Sequence, residues 1–270
     1  MAWFVQPDSI VRRIWGDADM VLLIFGGAAA EFALNRAVDW LFFTGKIPAD
    51  PIGRFFSTVS YAQGIVFADQ AQADRTLARI NAIHGAVERQ RGDYIPEWAY
   101  RDVLDMLIAY SERAFHLLYR PLTADEQEEL YNTFLRVGIA LHIPDLPPDY
   151  KGWELARQRH LEEDLAFSPY TTALYAAYRR DLGPWRYTLL RQIQAMLVPV
   201  RVHQLLDLPR FVWVRPAISL YATLGRLGLR SLIQLGLIPS QHLAAVQRLH
   251  APSSKQKSTP HAPTSGHFTT

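Results

Sequence analysis

The chain has 270 residues, of which 49% are hydrophobic and none is cysteine. The hydrophobic share can fill a large core, and the lack of cysteine excludes disulfides, thiolate-bound metals and iron–sulfur clusters. The formal net charge of +2 at pH 7 combines two unlike regions, because residues 1–183 carry 18 basic and 25 acidic side chains whereas residues 184–250 carry eight arginines and only Asp207.

The spacing of apolar residues predicts an all-α protein. Apolar side chains recur every three or four residues, and the alternating runs typical of strands do not occur between turn signals. We expect one orthogonal bundle of about eight or nine helices with a globin-like core. This domain covers residues 1–250, and a tail rich in Ser, Thr, Pro and Lys, predicted to be disordered, covers 251–270.

The first long helix is predicted at 18–44, with Asp17 or Asp19 as its cap. Its apolar run is interrupted by Glu31 and is too short to span a bilayer, which favours a buried core helix. The adjacent glycines Gly26-Gly27 would allow a neighbouring helix or a flat ligand to approach closely.

Several later helices have clear start or stop signals. Asp50-Pro51 is typical of a cap and a first helical residue, and Thr123 and Glu126 have the spacing of a capping box. Prolines predict a loop from residue 143 to Trp153 and a kink at Pro199. The predicted helices are 50–67, 69–91, 96–119, 123–142, 153–166, 169–181, 184–207 and 215–249, the last in two pieces around Pro239.

The first residues and the arginine-rich region 184–250 bear on where in the cell the protein acts. The start lacks the basic and apolar segments of a secretory signal, so we expect a cytoplasmic protein. The arginines of 184–250 are interleaved with Leu, Ile, Val and Trp, a pattern typical either of peripheral contact with an anionic membrane or of a solvated face. No nucleic-acid-binding module is recognisable, and we expect no nucleic-acid partner.

His84 lies on the apolar stripe of the predicted helix 69–91. It follows Leu77 and Ile80 and precedes Val87 at intervals of three or four residues, so its imidazole points inward. Such an imidazole either hydrogen-bonds a carbonyl in the core or ligates a metal. The residue types alone leave both interpretations open.

Arg54 and Thr58 are four residues apart and project from one face of their helix together with Tyr61 and Ile65. One interpretation is structural: Arg54 pairs with Asp50 one turn back, and Thr58 hydrogen-bonds its own helix. The other is that the cation and the hydroxyl serve a common site.

Three short segments keep the order and spacing of a known family. They are Arg54-Phe55-Phe56-Ser57-Thr58, Val66-Phe67-Ala68-Asp69-Gln70-Ala71-Gln72-Ala73 and Ile83-His84-Gly85-Ala86-Val87. The stretch 50–92 that contains them resembles the rubber oxygenases (latex-clearing proteins) and the ER-bound MpaB-type oxygenases. The resemblance as a whole covers roughly residues 16–210, and the last third of that range matches only loosely.

The resemblance implies a haem b-dependent oxygenase that uses dioxygen to oxidise or cleave a hydrophobic, isoprenoid-like or polyisoprenoid substrate. By the same resemblance, His84 is the proximal ligand of the haem iron, and Arg54 and Thr58 lie on the distal side. A cation and a hydroxyl there would stabilise negative charge that develops on oxygen. The alternative is a non-catalytic helical haem- or lipid-binding protein associated with a membrane surface.

Two positions depart from the family pattern or stay open. Latex-clearing proteins have a lysine before the threonine that can cap the iron, whereas this chain has Ser57. The family's catalytic glutamate, which lies upstream of the arginine, matches either Glu31 or Asp39. Glu31 has the more apolar surroundings, where desolvation would raise its pKa toward that of a useful base, but it could equally pair with Arg36.

Overall fold

A computed structural model of the chain describes residues 2–43 and 50–226. All named elements in these ranges are helices, which confirms the predicted all-α bundle. The elements are α1 Ile10–Trp15, α2 Ala18–Phe32, a 3₁₀ turn Arg36–Val38, α3 Asp39–Phe43, α4 Pro51–Val66, α5 Gln70–Arg91, α6 Glu97–Leu118, α7 Ala124–Ala140, α8 Tyr150–Glu163, α9 Pro169–Leu197, α10 Val200–Leu205 and α11 Arg215–Arg226. The predicted tail and the part of the last predicted helix after residue 226 lie outside the described residues.

Helix α2 is the most deeply buried long helix and packs most extensively against α6. A Cβ atom at Gly27 would overlap the ring of Tyr110 on α6. This confirms for Gly27 the expectation that a neighbouring helix approaches closely. Among the helices of residues 2–43 and 50–226, none is long and apolar enough to cross a bilayer.

The predicted capping signals hold in the structure. The Asp50 carboxylate accepts a hydrogen bond of 2.8 Å from the Gly53 amide at the start of α4. Thr123 and Glu126 form the reciprocal capping box at the start of α7. Helix α9 bends at Gly183, whose φ of 73° lies in the left-handed region that favours glycine. These local signals set where the helices begin and bend.

The first long helix is shorter than predicted because the residues that follow Phe32 are hydrogen-bonded to distant parts of the chain. The Ala33 carbonyl accepts a hydrogen bond of 2.6 Å from the Thr171 hydroxyl, and the Leu34 carbonyl accepts one of 2.8 Å from the Ala166 amide. Asn35 then caps the 3₁₀ turn that follows. The chain therefore turns after α2 instead of continuing as a helix.

Candidate functional site

A cavity of about 430 Å³ lies between the helix pair α4 and α5 and the helix pair α6 and α7. The volume falls in the range of small-molecule and cofactor sites. Most of its wall is apolar, with Phe32, Trp40, Ile80, Leu104 and Phe134 among the lining residues. The polar or titratable side chains on the wall are Asn35, Arg54, Ser57, Thr58, Tyr61, His84, Tyr100 and Thr133. The structure thus brings Arg54, Thr58 and His84 to one cavity.

His84 presents a neutral imidazole to this cavity. The side chain is half-buried, and among the described residues neither ring nitrogen has a hydrogen-bond partner. Burial lowers the pKa of His84, and the positive charge of Arg54 lowers it further while Glu88 opposes the change. A neutral imidazole with free nitrogens can ligate a metal. The alternative of a core histidine bonded to a carbonyl finds no partner in the described part of the chain.

Arg54 is free to act toward the cavity. The Asp50 carboxylate, its expected partner, instead accepts from the Gly53 amide and caps α4. Within the ranges that the structure describes, Arg54 forms no ion pair, and its charge is close enough to lower the pKa of His84. The guanidinium therefore supplies a positive charge at the cavity wall.

The hydroxyls beside Arg54 share one acceptor. Ser57 and Thr58 both donate to the Arg54 carbonyl, at 2.8 and 3.1 Å. The expected bond of Thr58 to its own helix is confirmed. Either hydroxyl must give up this bond before it can donate toward the cavity.

Tyr100 supports the imidazole from α6. Its ring centroid lies 5.0 Å from that of His84, with an angle of 48° between the planes. The Tyr100 hydroxyl donates to the Glu88 carboxylate at 3.1 Å, and the same oxygen accepts from the Ile95 amide at 3.0 Å. Burial and the charge of Glu88 raise the pKa of Tyr100, so the phenol keeps its proton. Glu88, one turn after His84, therefore fixes the ring that packs on the imidazole.

Glu31 lies in a buried ion-pair cluster, not on the cavity wall. Its carboxylate accepts hydrogen bonds from both Nη1 and Nη2 of Arg157, each at 2.5 Å, and from the Tyr110 hydroxyl at 2.9 Å. Burial acts to raise the pKa of Glu31, but Arg157 and His160 outweigh it and lower the pKa to about 2. The expectation of a raised pKa is wrong because the carboxylate is desolvated beside a cation, and the alternative partner Arg36 is replaced by Arg157.

Asp39, the other candidate carboxylate, also lies beside the cavity rather than on its wall. It accepts a hydrogen bond of 2.8 Å from Arg91 at the end of α5. The Arg91 guanidinium carbon also lies 3.9 Å from the centre of the Trp40 ring. Since Trp40 lines the cavity, the pair helps hold that part of the wall.

Asp102, His160 and Asp164 offer ligand atoms that lie within 4.8 Å of one another, a spacing suited to a metal ion. His160 Nδ1 is 2.7 Å from Asp102 and 3.2 Å from Asp164, and His160 Nε2 is 3.3 Å from Glu31. Burial acts to lower the pKa of His160, but hydrogen bonds with Asp102 and Glu31 raise it to about 9. A protonated imidazole has no free lone pair, so the described arrangement is that of an ion-pair cluster.

Sequence reasoning missed this cluster. The available signal was the three- and four-residue spacing of Trp153, Arg157 and His160 on α8, and of Asp102 and Asp105 on α6. The spacing places these residues on one face of each helix, but only the packing shows that the two faces meet, with His160 beside Asp102 and Trp153 beside Asp105.

The sequence matches the family described as ER-bound oxygenase mpaB/B'/Rubber oxygenase, catalytic domain, over residues 12–228. The chain belongs to this family. The comparisons with curated proteins and with solved structures gave no match. As a member of the mpaB/rubber oxygenase family, the chain carries an oxygenase-type catalytic domain, which supports an oxidoreductase in general.

The capping lysine of latex-clearing proteins has no counterpart on the described cavity wall of this mpaB/rubber oxygenase family member. Ser57 occupies the position before Thr58, and Lys151 lies exposed on α8. Lys46 lies outside the described residues. Among the lining residues that the structure describes, none is a lysine.

Proposed function

We propose that this chain is a haem b-dependent oxygenase that uses dioxygen to oxidise or cleave a hydrophobic, isoprenoid-like substrate. The observation that carries the proposal is the His84 imidazole, which faces an apolar cavity without a hydrogen-bond partner among the described residues. Membership of an oxygenase family supports the class of reaction. The cofactor and the substrate are inferred from the chemistry of the wall.

The donor set suits haem better than a bare metal ion. His84 is the one imidazole among the described lining residues, and no Asp, Glu, Cys or Met accompanies it on that wall. A bare catalytic metal ordinarily needs about three protein ligands. Haem would bring most of the iron's ligands with it and would need one imidazole from the protein in an apolar surround. The residues present therefore fit haem b, with His84 as its protein ligand.

Haem b, when bound, supplies the activation of dioxygen. The side chains of the cavity would stabilise charge and orient the groups that react. Arg54 places a positive charge at the wall, where it stabilises negative charge developing on oxygen. Ser57 and Thr58 also line this wall, and either hydroxyl can donate to oxygen by giving up its bond to the Arg54 carbonyl. Tyr100 and Glu88 keep the imidazole oriented.

The apolar wall favours a substrate that has little polar surface. Aromatic and aliphatic side chains such as Phe32, Ile80 and Phe134 line the cavity. They would bind an isoprenoid chain by excluding water from it, and its double bonds offer the site of oxidation.

The first test is haem binding. The full chain, expressed with haem supplementation or titrated with hemin, should show a Soret band. His84→Ala should abolish the band while the far-UV circular dichroism stays helical. The matched control is His116→Ala, an exposed histidine on α6, which should keep the band. A colourless wild-type protein, or a band that survives in His84→Ala, would contradict the proposal.

The second test separates an oxygenase from a carrier. Oxygen uptake by the haem-loaded chain should depend on a linear isoprenoid hydrocarbon such as squalene. Arg54→Gln should lower that uptake by about a hundredfold while the Soret band remains, because the positive charge acts on developing negative charge. Haem binding without uptake on any isoprenoid would favour the alternative, a non-catalytic haem- or lipid-binding protein.

A further inference from the structure

Three large aromatic side chains stand out from the surface near the end of the described chain. Phe211 is 79% exposed, Trp213 is 55% exposed and Trp185 is 50% exposed. Side chains of this size are usually covered. Together with the exposed Arg210 and Arg215 they define what we call the aromatic–arginine surface.

The aromatic side chains are held in place by buried hydrogen bonds. Gln192 on α9 is 4% exposed. It accepts a hydrogen bond of 3.0 Å from the Trp213 amide and donates one of 3.4 Å to the Phe211 carbonyl. Trp185 precedes Gln192 by two helical turns and therefore lies on the same face of α9. A single buried amide thus fixes Phe211 and Trp213 on the face of α9 that carries Trp185.

A second set of hydrogen bonds holds the chain segment that precedes Phe211 against α9. Arg191 donates to the carbonyls of Leu206 and Asp207, at 3.2 and 2.6 Å. Between Phe211 and the start of α11, Val214 is buried at 3% exposure. The segment therefore packs by Val214 while its aromatic side chains point to solvent.

The segment that carries this surface is strongly basic. Residues 184–226 contain six arginines, no lysine, and Asp207 as the single acidic residue. Neither Arg210 nor Arg215 forms an ion pair with any residue that the structure describes. The Arg186 guanidinium lies beside the Trp185 ring, 4.6 Å from its centroid. Positive charge and exposed aromatic area therefore coincide.

We propose that the aromatic–arginine surface docks on an anionic lipid surface. Tryptophan and phenylalanine insert at the boundary between headgroups and acyl chains, and arginines beside them pair with lipid phosphates. Each arginine near a negatively charged leaflet strengthens binding by about fivefold. The inference goes beyond the proposed oxygenase activity because it uses α9 and the segment before α11, which do not line the cavity.

Vesicle flotation of the full chain tests the proposal. The chain should bind vesicles of phosphatidylcholine with phosphatidylserine, bind pure phosphatidylcholine weakly, and lose binding as salt rises. The double variant Phe211→Ser/Trp213→Ser should lower binding to the anionic vesicles by about tenfold or more. Arg210→Gln/Arg215→Gln should lower it by a similar factor and flatten the salt dependence.

Three control variants test whether the loss of vesicle binding is specific to this surface. Leu155→Ser and Ile139→Ser remove exposed apolar side chains on α8 and α7, with exposures of 61% and 62%. Arg159→Gln removes an exposed arginine on α8. All three should bind like the unaltered chain. Circular dichroism checks that each variant stays helical, and the arginine variant provides a second test if the aromatic variant unfolds.

Several results would overturn the proposal. They are a wild-type chain that binds no vesicles, equal binding to neutral and anionic vesicles, and unchanged binding in both double variants. An elution volume on size exclusion that changes from dimer to monomer in Phe211→Ser/Trp213→Ser would assign the surface to a second copy of this chain instead. None of these outcomes depends on haem or on oxygen uptake, so the two proposals fail independently.

Discussion

The ring of Tyr100 packs 5.0 Å from the imidazole of His84, although the two residues belong to different helices. The Tyr100 hydroxyl is bound to Glu88, one turn after His84. The Glu88 carboxylate therefore holds Tyr100 by its hydroxyl, and the Tyr100 ring packs against the His84 imidazole. Like the outer partners of metal-ligating histidines, Tyr100 helps to fix the orientation of the imidazole, here by ring packing at an angle of 48° and not by a hydrogen bond.

Two substitutions of Tyr100 should distinguish the contribution of its ring from that of its hydroxyl. Tyr100→Phe keeps the ring and loses one hydrogen bond, which should lower the free energy of unfolding by about 1 kcal/mol and leave hemin affinity nearly unchanged. Tyr100→Ala removes the ring and should weaken hemin binding by about tenfold. Hemin titration followed at the Soret band, with urea unfolding alongside, measures both effects. Equal hemin affinities for the two variants would show that the ring does not support His84.

Loss of the buried partner of Arg157 should be costly. Glu31 is fully buried and Arg157 nearly so, with side-chain exposures of 0% and 7%. Glu31→Gln leaves the guanidinium without its charge partner and should lower the free energy of unfolding by about 3 to 5 kcal/mol. Asp181→Asn, in the pair with the exposed Arg180, is the matched control and should lower the free energy of unfolding far less. Similar losses of unfolding free energy in both variants would contradict the buried-pair interpretation.

The sequence predicted those parts of the fold that depend on local chemistry. The helix starts at Asp50 and Thr123 follow from side chains that accept hydrogen bonds from amides three residues away, and such bonds can be predicted from spacing. The end of α2 could not be read in this way, since it depends on Thr171 and Ala166, more than 130 residues distant. Helix α1 was missed because its six residues are too few for a periodic signal.

The same division applies to the candidate site. Arg54, Thr58 and His84 were recognised by family resemblance, and helical periodicity placed them on inward faces that meet in the cavity. The partner of Glu31 was predicted wrongly because ion pairs between helices depend on which faces pack together. Arg36 is close in sequence, yet Arg157 on α8 occupies the site. Tyr100 carried no signal of its own, since its role arises from contact with another helix.

Alkaline pH should weaken the fold through His160. Burial alone would lower the pKa of this imidazole, but its bonds to Asp102 and Glu31 raise the pKa from 6.5 to about 9 in the folded chain. Because the folded pKa lies above the unfolded one, the stabilisation is complete below pH 6.5 and is lost as pH rises through 9. The loss should be on the order of 3 kcal/mol.

Urea unfolding across that pH window measures this loss. His160→Gln should flatten the alkaline slope of the free energy of unfolding, whereas the exposed control His116→Ala should keep it. Asp102, Asp164, Glu31 and Arg157 face the imidazole and stay in both proteins. A slope that is the same in His160→Gln and in the unaltered chain would place the alkaline sensitivity elsewhere.

Adjacent glycines on α2 should respond in opposite directions to the same substitution. The Cβ of Gly27→Ala would overlap the Tyr110 ring, which is fully buried and bonded to Glu31, so either α2 or α6 must shift. The expected cost is about 1 to 3 kcal/mol of unfolding free energy. At Gly26 the nearest atom is the Leu190 Cδ1 at 3.9 Å, an ordinary contact. Gly26→Ala should therefore stabilise the helix by about 0.5 to 1 kcal/mol. Thermal unfolding of both variants decides the matter, and a Gly27→Ala protein as stable as Gly26→Ala would refute the close approach of α2 and α6.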